Sequence, residues 1–482
     1  RLSRHYARGL CAAGLAPGDR VAVYAENSPE VVVALFAHYR AGLVHVPINP
    51  GYRGEELAHI LEDSGARAVL VRVGSTAAGV LEAAAVPDSL KLRILIGGSG
   101  GAPGTLAYEW LVETSLPRAA RGAPPAASDE DTAALVYTSG TTAKSKGVEL
   151  SFRAIVENTE AVTRLWRFTA EDRSLLTLPL FHVHGLCLGL HGALLHGQTV
   201  RLFDSFDAAR VVQAFAGEGA TVFMGVPTMY VRLLEHMGEH PQAAQGLARG
   251  RLFTAGSAAL STDDFAAFER LTGHRILERY GMTETLFTLS NPYEDRRAGT
   301  VGLPVPGCEA RLVDESGREA AAGEPGEILV RSNGMMTRYR GRPEETDASR
   351  KGGWFRTGDV GQMGADGYVT IAGRASVDVI KSGGYKISAR EIEDVLRRHA
   401  SVREVAVVGV ADRVWGQKIL AAIVLADPAG APSEAALLEE LSAFCALHLA
   451  DTKRPRAVRI FAELPKNALG KVQKHRILET VT

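Results

Sequence analysis

The apolar positions of the chain fall into two rhythms. Short apolar runs that read as strands alternate with longer stretches whose apolar residues recur every three or four positions, as on one face of a helix. Residues 19–25 (DRVAVYA) predict a strand, 29–42 an amphipathic helix with Pro29 at its start, and 43–49 a second strand. A helix over 54–63 then leads into a strand over 66–72 (ARAVLVR). Repetition of strand, helix and strand predicts a mostly parallel sheet covered by helices. Loops rich in Gly, Pro and Ala at 97–104 and 122–128 separate this lobe from the next, where the rhythm resumes. There 132–138, 220–227, 252–256 and 275–279 predict strands, and 151–168 and 228–237 predict helices.

Near residue 300 the texture changes. Four short strands with Gly-rich turns (CEARLVD, GEILVRS, GWFRTGD and GYVTIAGR) predict a compact β subdomain. After Arg374 a mixed unit begins, with helices over 389–399 and 433–449 and strands over 404–409, 419–426 and 458–461. The expected fold class is therefore α/β. A large N-terminal domain, 1–375, holds helix-covered sheets plus the β subdomain, and a small, mobile α/β C-terminal domain spans 376–482. A length of 482 residues agrees, being too great for one ordinary core.

Charge narrows the function classes. The net charge is −1, without the basic excess that a dedicated nucleic-acid binder carries. The apolar stretches around 31–48 and 186–195 are interrupted by His or Arg and fall short of the ~20 residues a bilayer crossing needs, so no membrane insertion is expected. Cys11, Cys187, Cys308 and Cys445 form no CxxC pair and read as reduced thiols of a cytoplasmic protein. The chain opens on Arg1 inside a helix-like run; a missing upstream segment is the expectation, and organelle targeting cannot be read from it.

Three patterns point to other chemistry and are set aside. GGSGG at 97–101 fits a nucleophile elbow but is followed by Ala-Pro-Gly rather than a helix. His236-Met-Gly-Glu-His240 fits a zinc motif, yet Gly238 and Pro241 are expected to spoil the helix that would align its ligands. His182-Val-His184 lacks a third ligand at an obvious spacing.

The most informative string is YTSGTTAKSKG at 137–147, a strand that ends in hydroxyls, glycine and lysines before a second strand. Backbone N–H groups and Ser/Thr hydroxyls in such a loop wrap a polyphosphate, and lysine adds charge. On its own it reads as a solvated hairpin turn, and it is not a Walker A loop, because Ser145 stands where the second Gly would be. As a whole the string closely resembles the phosphate loop of the adenylate-forming superfamily, which joins acyl-CoA synthetases, peptide-synthetase adenylation domains and luciferases. The resemblance implies ATP contacts at Thr138, Ser139, Gly140, Thr141, Thr142 and Lys146, with Thr141 also near Mg²⁺.

The remaining motifs of that superfamily follow in order. RYGMTE at 279–284 resembles its second ATP motif. The resemblance implies Tyr280 near adenine beside Gly281 and Met282, Thr283 on the α-phosphate, and Glu284 on Mg²⁺, whose hard charge suits carboxylate and hydroxyl oxygens. Read alone, YGMTE is a helix start with Thr283 or Glu284 near the cap. GWFRTGD resembles the ribose motif, its Asp359 accepting both hydroxyls, and Arg374 is implied as a second ribose contact. Ser376 occupies the hinge, where the family usually has Asp or Lys. Lys381, Ser382, Gly383 and Gly384 are implied to line the coenzyme A tunnel; without the family they form a tight hairpin. PKNALGK at 465–471 resembles the final motif and implies Lys471 as the adenylation catalyst, together with Thr283 and Glu284. An ammonium there bridges the negative charge that builds as a carboxylate attacks the α-phosphate. Two departures stand out, Ala143 for the usual Gly and Ser145 for the usual Pro. If that glycine needs positive φ, alanine costs about 1 kcal/mol.

PLFHVHG at 179–185, with TMYVR at 228–232, AGS at 255–257 and ERY at 278–280, most resembles malonyl-CoA synthetases. That resemblance implies Arg279, with Arg232, His182 and Ser257, as readers of a distal carboxylate. Two plainer readings stand beside it: Arg279 paired with Glu278 or a neighbouring acid, and Arg232 on a helix surface. The expected activity is an ATP-dependent acyl-CoA synthetase that makes malonyl- or methylmalonyl-CoA through an acyl-adenylate, releasing AMP and pyrophosphate. It would use ATP, Mg²⁺ and coenzyme A with a small dicarboxylic acid, as a monomer or homodimer. The rivals are a short- or medium-chain monocarboxylate ligase, a ligase that loads a carrier protein, and a non-catalytic binding paralogue.

Overall fold

An eight-stranded sheet and a seven-stranded sheet dominate the N-terminal domain. The computed structural model describes residues 1–113, 127–138, 144–257, 260, 262–314, 316–374, 379–428, 430–465, 472 and 474–481, with the backbone alone at 372–374, 379, 386, 388, 390 and 475. In the first sheet Val44–Pro47, Arg20–Tyr24, Ala68–Arg72 and Leu92–Ile96 run parallel. The first three are almost uniformly buried, as expected of strands covered by helices on both faces, while Leu92–Ile96, nearer the sheet edge, buries only Ile94 and Ile96. Thr132–Thr138 joins this sheet in parallel, and Lys146–Ser151 returns antiparallel to it.

The second sheet sets Arg173–Leu176, Val222–Gly225, Leu252–Ala255 and Leu277–Met282 side by side in parallel. Leu286–Ser290 closes back on the last of these as an antiparallel partner. This overturns the reading of YGMTE alone as a helix start: Gly281 and Met282 end a strand and Thr283–Thr285 form its turn. The antiparallel pairing accounts for the result, because it continues through an irregularity at Tyr280/Gly281 as far as Met282 opposite Leu286; consecutive Glu278 and Arg279 face opposite sides.

The expected β subdomain is present as an antiparallel sheet built on Cys308–Val313, Pro325–Ser332, Trp354–Met363 and Val369–Arg374. The C-terminal unit packs the helices Ala389–Leu396 and Glu434–Ala446 on its own sheet around a separate core containing Ile387, Ile392, Val407 and Leu441. The expected boundary at 375–376 and the hinge Ser376 lie outside the described residues.

Two local features depart from expectation. Gly238 does not break its helix, which runs over Pro227–Glu239 and stops only two residues before Pro241. The helix N–H ladder tolerates a glycine that faces open space, whereas proline removes a donor. His236, Glu239 and His240 consequently bring ligating atoms within 4.8 Å of one another, at the surface. The second departure is a π-helix over His184–His191, a rare form that recurs at functional sites. Among the described residues no helix is long and apolar enough to cross a membrane.

Candidate active site

A cavity of about 700 Å³ opens at the carboxyl ends of the parallel strands of both sheets. Ligands of open α/β sheets bind there because the strand-to-helix loops converge without blocking one another. Thr177–Gly185 follows the strand Arg173–Leu176, Val226–Met229 follows Val222–Gly225, and Ser257 follows Leu252–Ala255; all reach this space.

One end of the cavity is built from Thr138 and Lys146, the proposed phosphate contacts at the two stems of the hairpin, which face each other in the sheet register. Ser139, Gly140, Thr141, Thr142 and Ala143 lie outside the described residues. Lys146 forms an ion pair with Glu345 and sits 5.2 Å from the centroid of the Tyr339 ring. The Tyr339 hydroxyl donates to Oε1 of Glu284 at 3.0 Å, and Glu284 is buried while still reaching the cavity. Tyr339 therefore couples the lysine of the first motif to the carboxylate of the second, and Glu345 holds that lysine. Nothing local in the sequence marks either residue. Thr283, Gly281 and Met282 line the same wall.

Behind that wall lies Asp359, with no solvent exposure. Its carboxylate accepts from the Tyr280 hydroxyl at 2.7 Å and lies 3.9 Å from Nζ of Lys381. The Asp359 amide donates to Thr357 Oγ1 at 3.0 Å, which fixes the strand locally. Arg374 stands opposite Asp359 in the antiparallel register, so both ribose candidates share one rung; the Arg374 side chain is outside the description.

At the other end of the cavity is Arg279, only 4% exposed. Its Nε and Nη2 have no hydrogen-bond partner among the described residues, and its guanidinium carbon lies 4.9 Å from the centroid of the Phe287 ring. Burial pulls its pKa down to about 9. The packing leaves no slack: a Cβ on Gly256 would sit 2.6 Å from that guanidinium carbon. The pairing of Arg279 with Glu278 does not occur, because Glu278 faces the opposite side and accepts from the Gly299 amide at 2.9 Å.

Ser257 holds a left-handed φ of 70°, uncommon for a residue with a side chain. From there its hydroxyl lies 3.3 Å from Nδ1 of His184. Burial, then the charges of Arg279 and His182, hold His184 well below the ordinary histidine range, so the ring is neutral. His184 is not among the residues that the family resemblance implied; its sequence signal is the HxH spacing with His182. His182 is likewise neutral, pushed down to about 4 by burial, and its ring lies 5.2 Å from that of Tyr385. Arg232 lines the same cavity from the helix Pro227–Glu239 but is exposed, so the plainer surface reading and the site reading meet in one residue.

The fourth wall comes from the C-terminal domain. Val379–Ser382 and Tyr385–Ser388 form a hairpin whose tip is Gly383 and Gly384, with φ of 58° and 84°. Side chains rarely adopt that conformation. Ser382 is buried, and Gly384 packs on Val226, where a Cβ would come to 3.1 Å. The tight hairpin read from the sequence is present and reaches the acyl end of the cavity. Lys471 lies outside the described residues. His236, Glu239 and His240 do not line the cavity.

Known proteins resemble this chain in sequence and fold. The AMP-binding enzyme family model matches residues 1–340, and the AMP-binding enzyme C-terminal domain matches 391–471. A malonyl-CoA ligase in ternary product complex with methylmalonyl-CoA and AMP superposes with a TM-score of 0.81 at 42% identity, over 95% of this chain and 93% of that one. The malonate–CoA ligase of Arabidopsis thaliana is 34% identical over 97% of this chain and 79% of its own length. The sulfoacetate–CoA ligase of Cupriavidus necator is 37% identical over 98% and 89%. With family models matched over both of its domains, this chain belongs to the AMP-binding enzyme family.

Proposed function

We propose that this protein is an ATP-dependent acid–CoA ligase whose acid carries a second anionic group, malonate or methylmalonate foremost. The observation that carries the reading is Arg279, a buried guanidinium without an ion-pair partner among the described residues, beside neutral His184 and the Ser257 hydroxyl. Leaving a charge buried and unpaired costs several kcal/mol. A distal carboxylate entering the cavity recovers part of that cost through the guanidinium fork, and an acetyl or fatty acid does not.

In the first step a carboxylate oxygen of the acid attacks the α-phosphorus of ATP, and the bond from phosphorus to pyrophosphate breaks. Lys471 supplies the ammonium that balances charge between the two anions. Lys146 exchanges Glu345 for the outer phosphates, and Asp359 accepts from the ribose hydroxyls, exchanging Tyr280 and Lys381 for them. Glu284, a cavity-facing carboxylate, and Thr141 fit Mg²⁺, which would neutralise phosphate charge when bound. In the second step the C-terminal domain turns about Ser376, withdrawing Lys471 and seating the Gly383–Gly384 hairpin. The sulfur of coenzyme A then bonds to the acyl carbon, the bond to AMP breaks, and the thiol proton passes to water. A cytoplasmic setting suits the four free thiols.

The test is a thioester assay with free coenzyme A over acetate, malonate, methylmalonate, succinate, sulfoacetate and octanoate, in wild type and Arg279→Ala. Malonate or methylmalonate as the best substrate, lost in the variant, is expected. Preference for acetate or octanoate overturns the reading, and pyrophosphate release without a soluble thioester points to a carrier protein. A distal sulfonate is the second reading, favoured by the sulfoacetate ligase relative and by the ability of guanidinium to pair with either anion.

A further inference from the structure

At the seam between the two domains Lys453 is enclosed by two carboxylates. Its Nζ lies 2.6 Å from Oε1 of Glu56, on the helix Gly54–Ser64 of the N-terminal domain. It lies 2.8 Å from Oε1 of Glu391, on the helix Ala389–Leu396 of the C-terminal domain. The side chain of Lys453 is 5% exposed and that of Glu56 8%. The second oxygen of Glu56 accepts from the amides of Arg53, in its own helix cap, and of Ala450, across the seam, at 3.2 and 3.1 Å. Tyr52 covers the ammonium with its ring, 4.5 Å away.

Buried ions hold a geometry because one partner cannot leave without stranding the others. Burial alone would discharge Lys453, but Tyr52, Glu391 and Glu56 outweigh it and keep the ammonium charged. Without that cation two carboxylates would face each other in a dry seam. The location matters as much as the strength. Glu391 follows directly on the strand Tyr385–Ser388, whose hairpin seats Gly384 on Val226 and Tyr385 beside His182. Ile387, Ala389 and Ile392 lie in one core cluster, so hairpin and helix move as a unit. Arg398, near the end of that unit, pairs with Glu55 at 2.9 Å across the same seam.

We propose that Lys453, bridging Glu56 and Glu391, is a positioning residue that holds the C-terminal domain with its 381–386 hairpin at the acyl end of the cavity, and so serves thioester formation rather than adenylation. This rests on the two-step reading above. Turning the domain breaks the contact with Glu56 and keeps that with Glu391, which lies within the moving unit. The ammonium therefore stays paired in both arrangements, and only the domain-to-domain half of the bridge is made and broken in each cycle.

The test separates the half-reactions in Lys453→Met. Thioester formation from preformed acyl-adenylate should fall at least tenfold while acid-dependent pyrophosphate exchange changes less than twofold. Lys453→Arg should restore the second step, and Glu56→Gln should reproduce its loss in weaker form. Equal losses in both half-reactions, or no loss in either, overturn the assignment. Small-angle scattering of the unliganded proteins reads the same bridge without any acid: the Lys453→Met curve should depart from the wild-type curve, and identical curves overturn the assignment. Wild-type protein that exchanges pyrophosphate with none of the acids removes the proposed reaction, and scattering still decides the bridge.

Discussion

Glu278 and Arg279 are consecutive and opposite in charge, yet they face opposite sides of the strand Leu277–Met282. Glu278 is held by the Gly299 amide at 2.9 Å, while the Arg279 guanidinium lies against the Phe287 ring with two donors unused. Alternation along the strand forces the separation. It leaves the arginine without an acid partner among the described residues, as the proposed ligand contact requires, and gives the acid a structural post.

Arg279→Ala is therefore expected to act on substrate choice. Truncating one partner of a buried charged pair costs about 3 kcal/mol, or ~10²-fold in kcat/KM, for an acid with a distal carboxylate. Turnover of acetate should change little, because acetate has no group to meet the guanidinium. Parallel kcat/KM measurements on malonate and acetate check this, and equal losses on both would show that Arg279 serves the fold.

Glu278 predicts a pH-dependent stability. Burial raises its pKa from 4.5 to about 7, with the Gly299 and Leu260 amides opposing. A carboxyl raised in this way favours folding fully below pH 4.5, and that contribution is lost as pH rises through 7. The shift corresponds to something on the order of 3 kcal/mol. Glu278→Gln keeps an acceptor for Gly299 without the charge. Its unfolding midpoint in denaturant, relative to wild type, should be higher at pH 8 than at pH 4, and a constant difference across that range would contradict the assignment.

The buried histidines act in the opposite direction. Burial holds His38 down to about 3 and His191 to about 4, so both are neutral in the fold and charge in the unfolded chain near 6.5. Stability is kept above pH 6.5 and lost as pH falls toward 4, by about 1.4 kcal/mol per pH unit for each such group. His191→Gln should flatten the stability profile between pH 6 and 4 by about one proton. Denaturant titrations at several pH values read that slope.

Lys471→Met is expected to abolish pyrophosphate exchange and to leave thioester formation from preformed acyl-adenylate within a few-fold of wild type. This is the mirror image of the outcome for Lys453→Met. Loss of both steps together in Lys471→Met would remove the division of labour between the two arrangements.

Much of the molecule was readable along the chain because the forces that fix it are local. The strand over Thr132–Thr138 begins and ends where its apolar run does, and the Gly383–Gly384 turn is dictated by backbone that only glycine enters easily. The order of the motifs likewise needs no folding to be seen. Chain segments that change identity with context were harder. YGMTE carries a helix-cap composition, but pairing with Leu286–Ser290 makes it a strand end, since cross-strand bonds outweigh a weak local preference.

The sequence by itself determined which residue types stand at each strand end and so which chemistry is on offer there: hydroxyls and lysines that suit phosphate, a carboxylate that suits ribose hydroxyls, an arginine that suits a second anion. Tertiary structure alone decided which of those charges are already matched. Glu345 takes Lys146, Glu278 is held by Gly299, Arg279 is left over, and Lys453 meets Glu56 from 397 residues away. Coulomb and desolvation energies depend on separation and burial in space, and distance along a chain fixes neither.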